Sequence, residues 1–159
     1  MSSRQNPFTG RSGQMAVAAQ FLKRGYNVAV PEVDRGDDLY VVDETSGELA
    51  RVQVKASLAR GKKMLAGAFN LSMAQLQRPH HPELYYVLAF YREGLWRDFL
   101  VIPRPDLYRL RTIENIGHIT DGGRRLVLHV SLRRGEANCG KVSLSQYLEE
   151  WSRWPEIRH

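Results

Sequence analysis

The chain has 159 residues, of which 43% are hydrophobic, a size that suits one hydrophobic core, so we expect a single domain over residues 1–159. Its formal net charge of +6 and isoelectric point of about 9.7 favour an acidic partner such as nucleic acid, although an ordinary basic protein fits the charge equally well. A single cysteine excludes a disulfide framework and an all-cysteine zinc site. The sequence has neither the apolar core of a signal peptide nor an apolar run near the roughly 18 residues of a membrane span. We therefore expect a cytoplasmic protein without membrane contact.

Residues 10–28 predict a helix followed by a strand. Ser12 is a candidate cap at the start of this helix, and Gly25 is a candidate end. Gln14 falls on the stripe predicted to pack against a sheet, at helical spacing from Val17, Ala18 and Phe21. A polar side chain in that position needs a hydrogen-bonding partner.

The next stretch predicts a β-hairpin that separates packing residues from chemical ones. Residues 36–43 and 48–56 alternate as strands do, and a Ser-Gly pair lies between them. With a side-chain period of two, Val52 and Val54 share one face of the second strand. Its other face carries Arg51, Gln53 and Lys55.

The hairpin carries a candidate metal and phosphodiester site. Asp38 is the candidate charged ligand, while Gln53 offers an amide oxygen and Val54 a backbone carbonyl. Lys55 follows two residues after Gln53, where its ammonium could orient an attacking water or neutralise a phosphate. An exposed aspartate and a Gln/Lys pair on the solvated face of an ordinary hairpin produce the same pattern.

Taken in order, the helix, the strand, Asp38 and Gln53-Val54-Lys55 resemble the PD-(D/E)XK nuclease superfamily, notably its small bacterial branch related to Holliday junction resolvases and intron-encoded homing endonucleases. The resemblance covers roughly the first third of the chain. It implies an α/β fold with a restriction-endonuclease-like α-β-β-β-α-β core, a mixed sheet and C-terminal β/α additions. Asp38 matches the superfamily's aspartate, Gln53 its variable ligand, Lys55 its lysine and Gln14 its helix glutamate.

Two of these matches depart from the common pattern, because Gln14 and Gln53 are amides where carboxylates are usual. A lone Asp38 predicts weak metal affinity without DNA, since Mg²⁺ is commonly held by one or two carboxylates plus substrate phosphates. Asp37 is expected to point to the opposite face from its neighbour. The resemblance implies Mg²⁺ as cofactor, with Mn²⁺ as a substitute, DNA as partner, and a homo-oligomer such as a dimer or tetramer.

Beyond the hairpin, the basic residues Arg60, Lys62 and Lys63 predict a loop over the active face, either contacting DNA phosphates or simply solvated. Residues 66–71 predict a strand and 72–77 a short helix. Residues 84–91 are nearly all apolar or aromatic, which predicts a central strand covered on both faces. The remaining residues predict strands at 96–102 and 126–130, a helix over 103–111 and a terminal helix over 143–151 capped by Ser143. Trp151 and Trp154 are expected to anchor the tail or a subunit interface.

Three functions remain open on the sequence. The first is a metal-dependent DNA endonuclease acting through Asp38, Gln53, Val54 and Lys55, with Gln14 in support. The second is a nucleic-acid-binding or protein-interaction module that keeps the fold after loss of the metal site. The third is a structural or regulatory protein without a nucleic-acid role, which would show no salt-dependent affinity for DNA.

Overall fold

The computed structural model describes residues 7–151. Three α-helices and ten strands occur within this part of the chain: α1 Pro7–Leu22, β1 Asn27–Ala29, β2 Leu39–Val42, β3 Leu49–Leu58, β4 Leu65–Ser72, α2 Met73–Gln77, β5 Leu84–Arg92, β6 Leu95–Pro103, α3 Arg104–Ile113, β7 His118–Thr120, β8 Arg125–Arg133, β9 Glu136–Cys139 and β10 Val142–Ser143. Short 3₁₀ turns cover Asp121–Gly123 and Ser145–Tyr147.

The first sheet is mixed and has the strand order β1-β2-β3-β5-β6. β2 and β3 form the predicted antiparallel hairpin, whose turn includes Gly47 at φ +76°. β5 runs parallel to β3, so the chain must cross over between them, and it does so through β4 and α2. The order of elements from α1 to β5 therefore contains the predicted α-β-β-β-α-β core, with β4 inserted.

The second sheet has the order β10-β9-β8-β4, and β7 also pairs with β8. β4 and β8 are antiparallel over their full lengths, from Leu65 opposite Leu132 to Ser72 opposite Arg125. The C-terminal β/α additions of the predicted fold class are β6 to β10 together with α3. The sequence analysis missed β7, β9 and β10, which are only two to four residues long.

Two hydrophobic cores cover the opposite faces of the first sheet. α1 packs on one face through Val17 and Phe21, against Val52 and Val54 of β3 among others. The second sheet packs on the other face. Alternate side chains of β5 enter the two cores, and its first seven residues are buried. This confirms the prediction of a central strand covered on both faces.

α1 approaches the sheet closely because Gly13 has no side chain. A Cβ at this position would lie 2.9 Å from the Cβ of Ala56 and 3.1 Å from the ring of Trp96. The helix ends at Leu22, and the turn that follows closes at Gly25 as predicted: φ is +90° there, and the amides of Gly25 and Tyr26 donate back to Leu22 O and Phe21 O. The predicted cap at Ser12 is wrong, because the helix already begins at Pro7, and the Ser12 hydroxyl instead accepts a hydrogen bond from Trp96 Nε1 at 2.7 Å.

The predicted terminal helix over residues 143–151 is also wrong. Ser143 ends β10, and only a 3₁₀ turn follows it. Beyond the short turns of this segment, its backbone bonds to neighbouring strands: Leu144 N donates to Ala137 O of β9 at 2.8 Å, and Glu149 N donates to Phe99 O of β6 at 2.7 Å. These contacts hold the segment against β9 and β6 and leave it without an α-helix.

Trp151 anchors the end of the described chain, as predicted. Its ring packs edge-on against Phe21 of α1 at 5.1 Å and against Phe99 of β6 at 5.7 Å. Trp154 lies outside the described residues. Within residues 7–151, every helix is too short or too polar to cross a lipid bilayer.

Candidate functional site

Asp38 lies where the pairing of two strands stops. β2 begins at Leu39, opposite Val52 of β3, and the amide of Asp38 donates to Val52 O at 2.9 Å. β3 continues for six residues beyond Val52, so the backbone of Val54 faces this side without a β2 partner. The Asp38 carboxylate fills that position, since Oδ2 accepts the Val54 N–H at 2.7 Å.

Two amide side chains complete the surroundings of the Asp38 carboxylate. Gln14 Nε2, from the first half of α1, donates to Oδ1 at 2.8 Å, and Gln53 Nε2 donates to Oδ2 at 2.6 Å. Arg11 NH1 in turn donates to Gln14 Oε1 at 2.9 Å and fixes the orientation of that amide. The structure thus brings Gln14, Gln53 and the Val54 amide against the Asp38 carboxylate, and supplies the partner that Gln14 needs.

Burial raises the pKa of Asp38 above its usual value of 3.8. The Val54 N–H and the nearby Lys55 charge oppose this rise, whereas Asp34 and Asp37 add to it. The hydrogen bonds therefore compensate only partly for the removal of water from around the carboxylate. A cation placed against Asp38 would lower its pKa and stabilise its ionised form.

Lys55 lies on the same face of β3 as Gln53, half-buried beside the site. Burial lowers the pKa of its ammonium, the Asp38 carboxylate opposes that shift, and Arg125 adds to it. Within residues 7–151, Lys55 forms no ion pair closer than 4.0 Å. Its ammonium therefore interacts electrostatically with the Asp38 carboxylate without forming an ion pair with it.

Asp37 takes no part in this cluster. Its side chain is 4% exposed, and its Oδ2 forms a 2.6 Å ion pair with Arg51 NH1. The Arg51 guanidinium also lies over the Tyr40 ring. The acidic charge adjoining the site is therefore already paired, and Asp38 is the carboxylate that faces Gln53.

Gln75 was not anticipated from the sequence, yet it contacts the site from α2. Its Nε2 donates to Gly36 O at 2.7 Å and to Gln53 Oε1 at 3.3 Å, and its Oε1 accepts from the Tyr86 hydroxyl at 3.4 Å. Gln75 lies 22 residues from Gln53 and 39 from Gly36. No local pattern marks a contact of that range.

An open cleft of about 420 Å³ adjoins the cluster. It is lined by Arg35, Gly36, Gln53, Lys55, Ser72, Ala74, Gln75 and Arg78. Arg35 and Arg78 are exposed, and neither has an ion-pair partner within residues 7–151. Neither was predicted from the sequence, although both line the cleft together with Gln53 and Lys55.

The basic loop after β3 does not cover this cleft. Arg60, Lys62 and Lys63 are exposed and precede β4, whereas the cleft is at the other end of β4, at Ser72. An eight-residue strand separates the two ends by roughly 23 Å. The expected position over the active face is therefore wrong. The tip of the β8–β9 hairpin, with Arg133 and Arg134, adjoins this loop instead, because Leu132 pairs with Leu65.

The side chains at Asp38 fit a hard divalent cation by chemistry, though with little charge. One carboxylate, one amide oxygen and one backbone carbonyl are oxygen donors of the kind that Mg²⁺ and Mn²⁺ accept. Within residues 7–151, no cluster of three or more His, Cys, Asp or Glu side chains could hold a metal. Besides Asp38, a cation here would depend on neutral protein ligands and on oxygens supplied by a substrate.

The sequence matches no protein-family model and no curated protein. Among solved structures, the bacterial homing endonuclease I-Ssp6803I superimposes with a TM-score of 0.58 at 20% sequence identity, over 93% of this chain and 91% of that chain. Hjc, a Holliday junction resolvase from Archaeoglobus fulgidus, matches with a TM-score of 0.46 at 13% identity, over 75% of this chain and 82% of that chain. This chain accordingly shares its fold with the homing endonuclease, which confirms the predicted α/β fold class with a mixed sheet.

Proposed function

We propose that the protein is a metal-dependent DNA endonuclease that hydrolyses phosphodiester bonds at the cleft beside Asp38, Gln53 and Lys55. The observation that carries this proposal is the meeting of Asp38, Gln53, Val54 and Gln14 where the pairing of β2 and β3 ends, next to an open cleft lined by basic side chains. The shared fold with I-Ssp6803I, itself a homing endonuclease, supports the same reaction class.

Mg²⁺, with Mn²⁺ as a substitute, is the proposed cofactor. Asp38 would be its charged ligand, and Gln53 Oε1 and the Val54 carbonyl its neutral ligands. Such a cation, when bound, neutralises phosphate charge and increases the acidity of water. Gln14 supports this arrangement by donating to Asp38 Oδ1, and so keeps the carboxylate directed along β3.

Lys55 is the proposed residue that orients the attacking water. Its ammonium lies beside Asp38 without being paired to it, so its protons are available to a water or to a phosphate oxygen. Burial lowers its pKa, which makes proton exchange with water easier than for an exposed lysine.

Arg35 and Arg78 would hold the phosphates that flank the scissile bond. Both line the cleft, and both are exposed without an acidic partner within residues 7–151. Arg60, Lys62 and Lys63 would contact the backbone farther along the duplex, about 23 Å away, which is about seven base pairs of B-DNA. Contacts of this kind position DNA without reading its sequence.

A homodimer or a higher symmetric assembly is proposed for the same reaction. Residues 7–151 contain one cluster of this kind, and cutting both strands of a duplex requires two attacks. A two-fold arrangement would present two clefts to the two antiparallel strands.

Nicking of supercoiled plasmid in Mg²⁺ or Mn²⁺ tests the proposal. The unsubstituted protein is expected to cut, whereas Asp38→Ala and Lys55→Ala are each expected to lower the cleavage rate by at least about a hundredfold. Lys141→Gln, in the exposed β9–β10 turn, is the control for loss of positive charge and should cut normally. Cleavage that survives both active-site substitutions would refute the assignment.

The amides at positions 14 and 53 favour one alternative, a nuclease-fold module that binds DNA or protein without cutting. Salt-dependent DNA affinity separates these functions. Arg35→Gln and Arg78→Gln should each reduce the slope of log affinity against log salt by about one, and Lys141→Gln should leave it unchanged. DNA affinity with this salt dependence but without cleavage in any divalent metal would favour the alternative.

A further inference from the structure

The orientation of the Gln53 amide is determined by its neighbours. Oδ2 of Asp38 already accepts the Val54 N–H and is an acceptor, so Gln53 must turn its NH₂ group towards it. The Gly36 carbonyl is likewise only an acceptor, so Gln75 must turn its own NH₂ group towards Gly36. The second proton of that group then meets Gln53 Oε1 at 3.3 Å.

This orientation directs the Gln53 oxygen towards Gln75 and away from Asp38. A cation shared by Asp38 and Gln53 needs that oxygen on the Asp38 side, so the amide has to turn by half a rotation. After such a turn, the NH₂ groups of Gln53 and Gln75 would face each other, donor against donor. Gln53 is only 7% exposed, so water is poorly placed to relieve that conflict.

We propose that Gln75 is a positioning residue that holds the Gln53 amide turned away from the metal position, so that metal binding requires both amides to turn together. The inference rests on the proposed metal site. Tyr86 makes the second turn feasible, because its hydroxyl donates to Gln75 Oε1 and can equally accept from a turned NH₂ group. The bond to Gly36 O is the contact that must be given up.

The consequence is a site whose metal affinity is restrained by a side chain that never touches the metal. Without the Gln75 amide, Gln53 is held only by Asp38 Oδ2 and Val54 O, the two oxygens that the cation would itself take up. The affinity should therefore rise by about the equivalent of one hydrogen bond, three- to tenfold. If Gln75 served only to link α2 to the turn at Gly36, its removal would change the metal affinity in the opposite direction. The turn before Asp38 would then become less ordered, and metal binding would weaken.

Isothermal titration of Mn²⁺ into the full chain tests this. Gln75→Met keeps the length of the side chain without its amide and is expected to tighten binding about three- to tenfold. Gln77→Met, two residues along the same helix at an exposed position, is the matched control and should bind like the unsubstituted protein. Unchanged or weaker binding by Gln75→Met would overturn the inference.

The same substitution in a Gln53→Glu background isolates the amide. A carboxylate has no NH₂ end and needs no turn, so Gln75→Met should no longer tighten binding there. An equal gain in both backgrounds would overturn the proposal. The Gln53 side-chain NH₂ signal, assigned by its absence in Gln53→Glu, should also shift in ¹⁵N spectra when Mg²⁺ is added, and a stationary signal would contradict a turning amide.

The metal site and the role of Gln75 can be refuted separately. If the unsubstituted protein and Gln53→Glu both bind no Mn²⁺, the proposed metal site is refuted and the inference with it. If both bind Mn²⁺ but Gln75→Met does not tighten binding to the unsubstituted chain, the metal site stands and only the role of Gln75 is refuted.

Discussion

Replacing Gly36 with alanine should destabilise the protein more than the same replacement at Gly47, and the difference measures how tightly α2 closes on the site. Both glycines have positive φ, +94° at Gly36 and +76° at Gly47. Their surroundings differ: a Cβ at Gly36 would lie 2.8 Å from Gln75 Nε2, whereas no atom lies within 4 Å of a Cβ at Gly47.

The expected magnitudes follow from these surroundings. A side chain at positive φ costs about 1–2 kcal/mol at either position. At Gly36 the methyl group must also displace the Gln75 amide, which donates to Gly36 O and to Gln53 Oε1. Losing these two bonds at about 0.5–1.5 kcal/mol each makes Gly36→Ala worse than Gly47→Ala by about 1–3 kcal/mol.

Thermal unfolding of the two variants beside the unsubstituted protein gives the measurement. For a chain of this size, 1 kcal/mol shifts Tm by roughly 2–4 °C, so Gly36→Ala should melt about 2–12 °C below Gly47→Ala. Equal melting temperatures would refute the close contact between the turn and Gln75. In a Gln75→Ala background, Gly36→Ala should cost only about as much as Gly47→Ala, because the clash is absent and the two bonds are already lost.

Three further outcomes are expected. Because burial lowers the pKa of Lys55, the folded chain binds this proton less tightly than the unfolded chain, and stability should rise with pH towards the usual lysine pKa of 10.5. Lys55→Met should therefore raise Tm at pH 7 by roughly 1–8 °C while abolishing cleavage. A lower Tm would contradict this expectation. Because burial raises the pKa of Asp38, its ionisation destabilises the fold as the pH rises above about 3.8. Protons should also compete with Mn²⁺ at Asp38 to a higher pH than at an exposed aspartate, so calorimetric titrations at increasing pH should show rising affinity, and affinity that rises nowhere above about pH 3.8 would exclude Asp38 as the ligand. Arg104→Met should lower the free energy of unfolding in urea by about 3–5 kcal/mol, because it leaves the 11%-exposed Glu83 carboxylate without its guanidinium partner; a loss under about 1 kcal/mol would show that water replaces the pair.

Local patterns were sufficient for the elements whose residues interact mainly with near neighbours. The Ser-Gly turn and the alternation on both sides predicted the β2–β3 hairpin, and the unbroken apolar run predicted β5 as the central strand. The terminal helix failed for the opposite reason. Residues 143–151 have helical spacing, but hydrogen bonds to β6 and β9 hold them in another conformation.

The residues that α1, β2 and β3 contribute around Asp38 were predicted, whereas those at α2 were missed. Asp38 and Gln53 are opposite each other in a hairpin register, so sequence spacing alone brings them together. Gln75 and Arg78 reach the same place only because the chain crosses over through β4 and α2 before it enters β5. Sequence spacing also gave a wrong position for Arg60, Lys62 and Lys63. They follow Lys55 closely in sequence, but β4 separates them from the cleft by its full length.

The amino-acid sequence by itself determined the pairing of Asp38 with Gln53, because a hairpin turn and a two-residue side-chain period leave little choice of register. Only the tertiary structure decided which way the Gln53 amide points and which cations surround it. Those features depend on acceptors and donors brought from distant parts of the chain, Gly36 and Gln75 above all, whose positions are set by how the two sheets and α2 pack together.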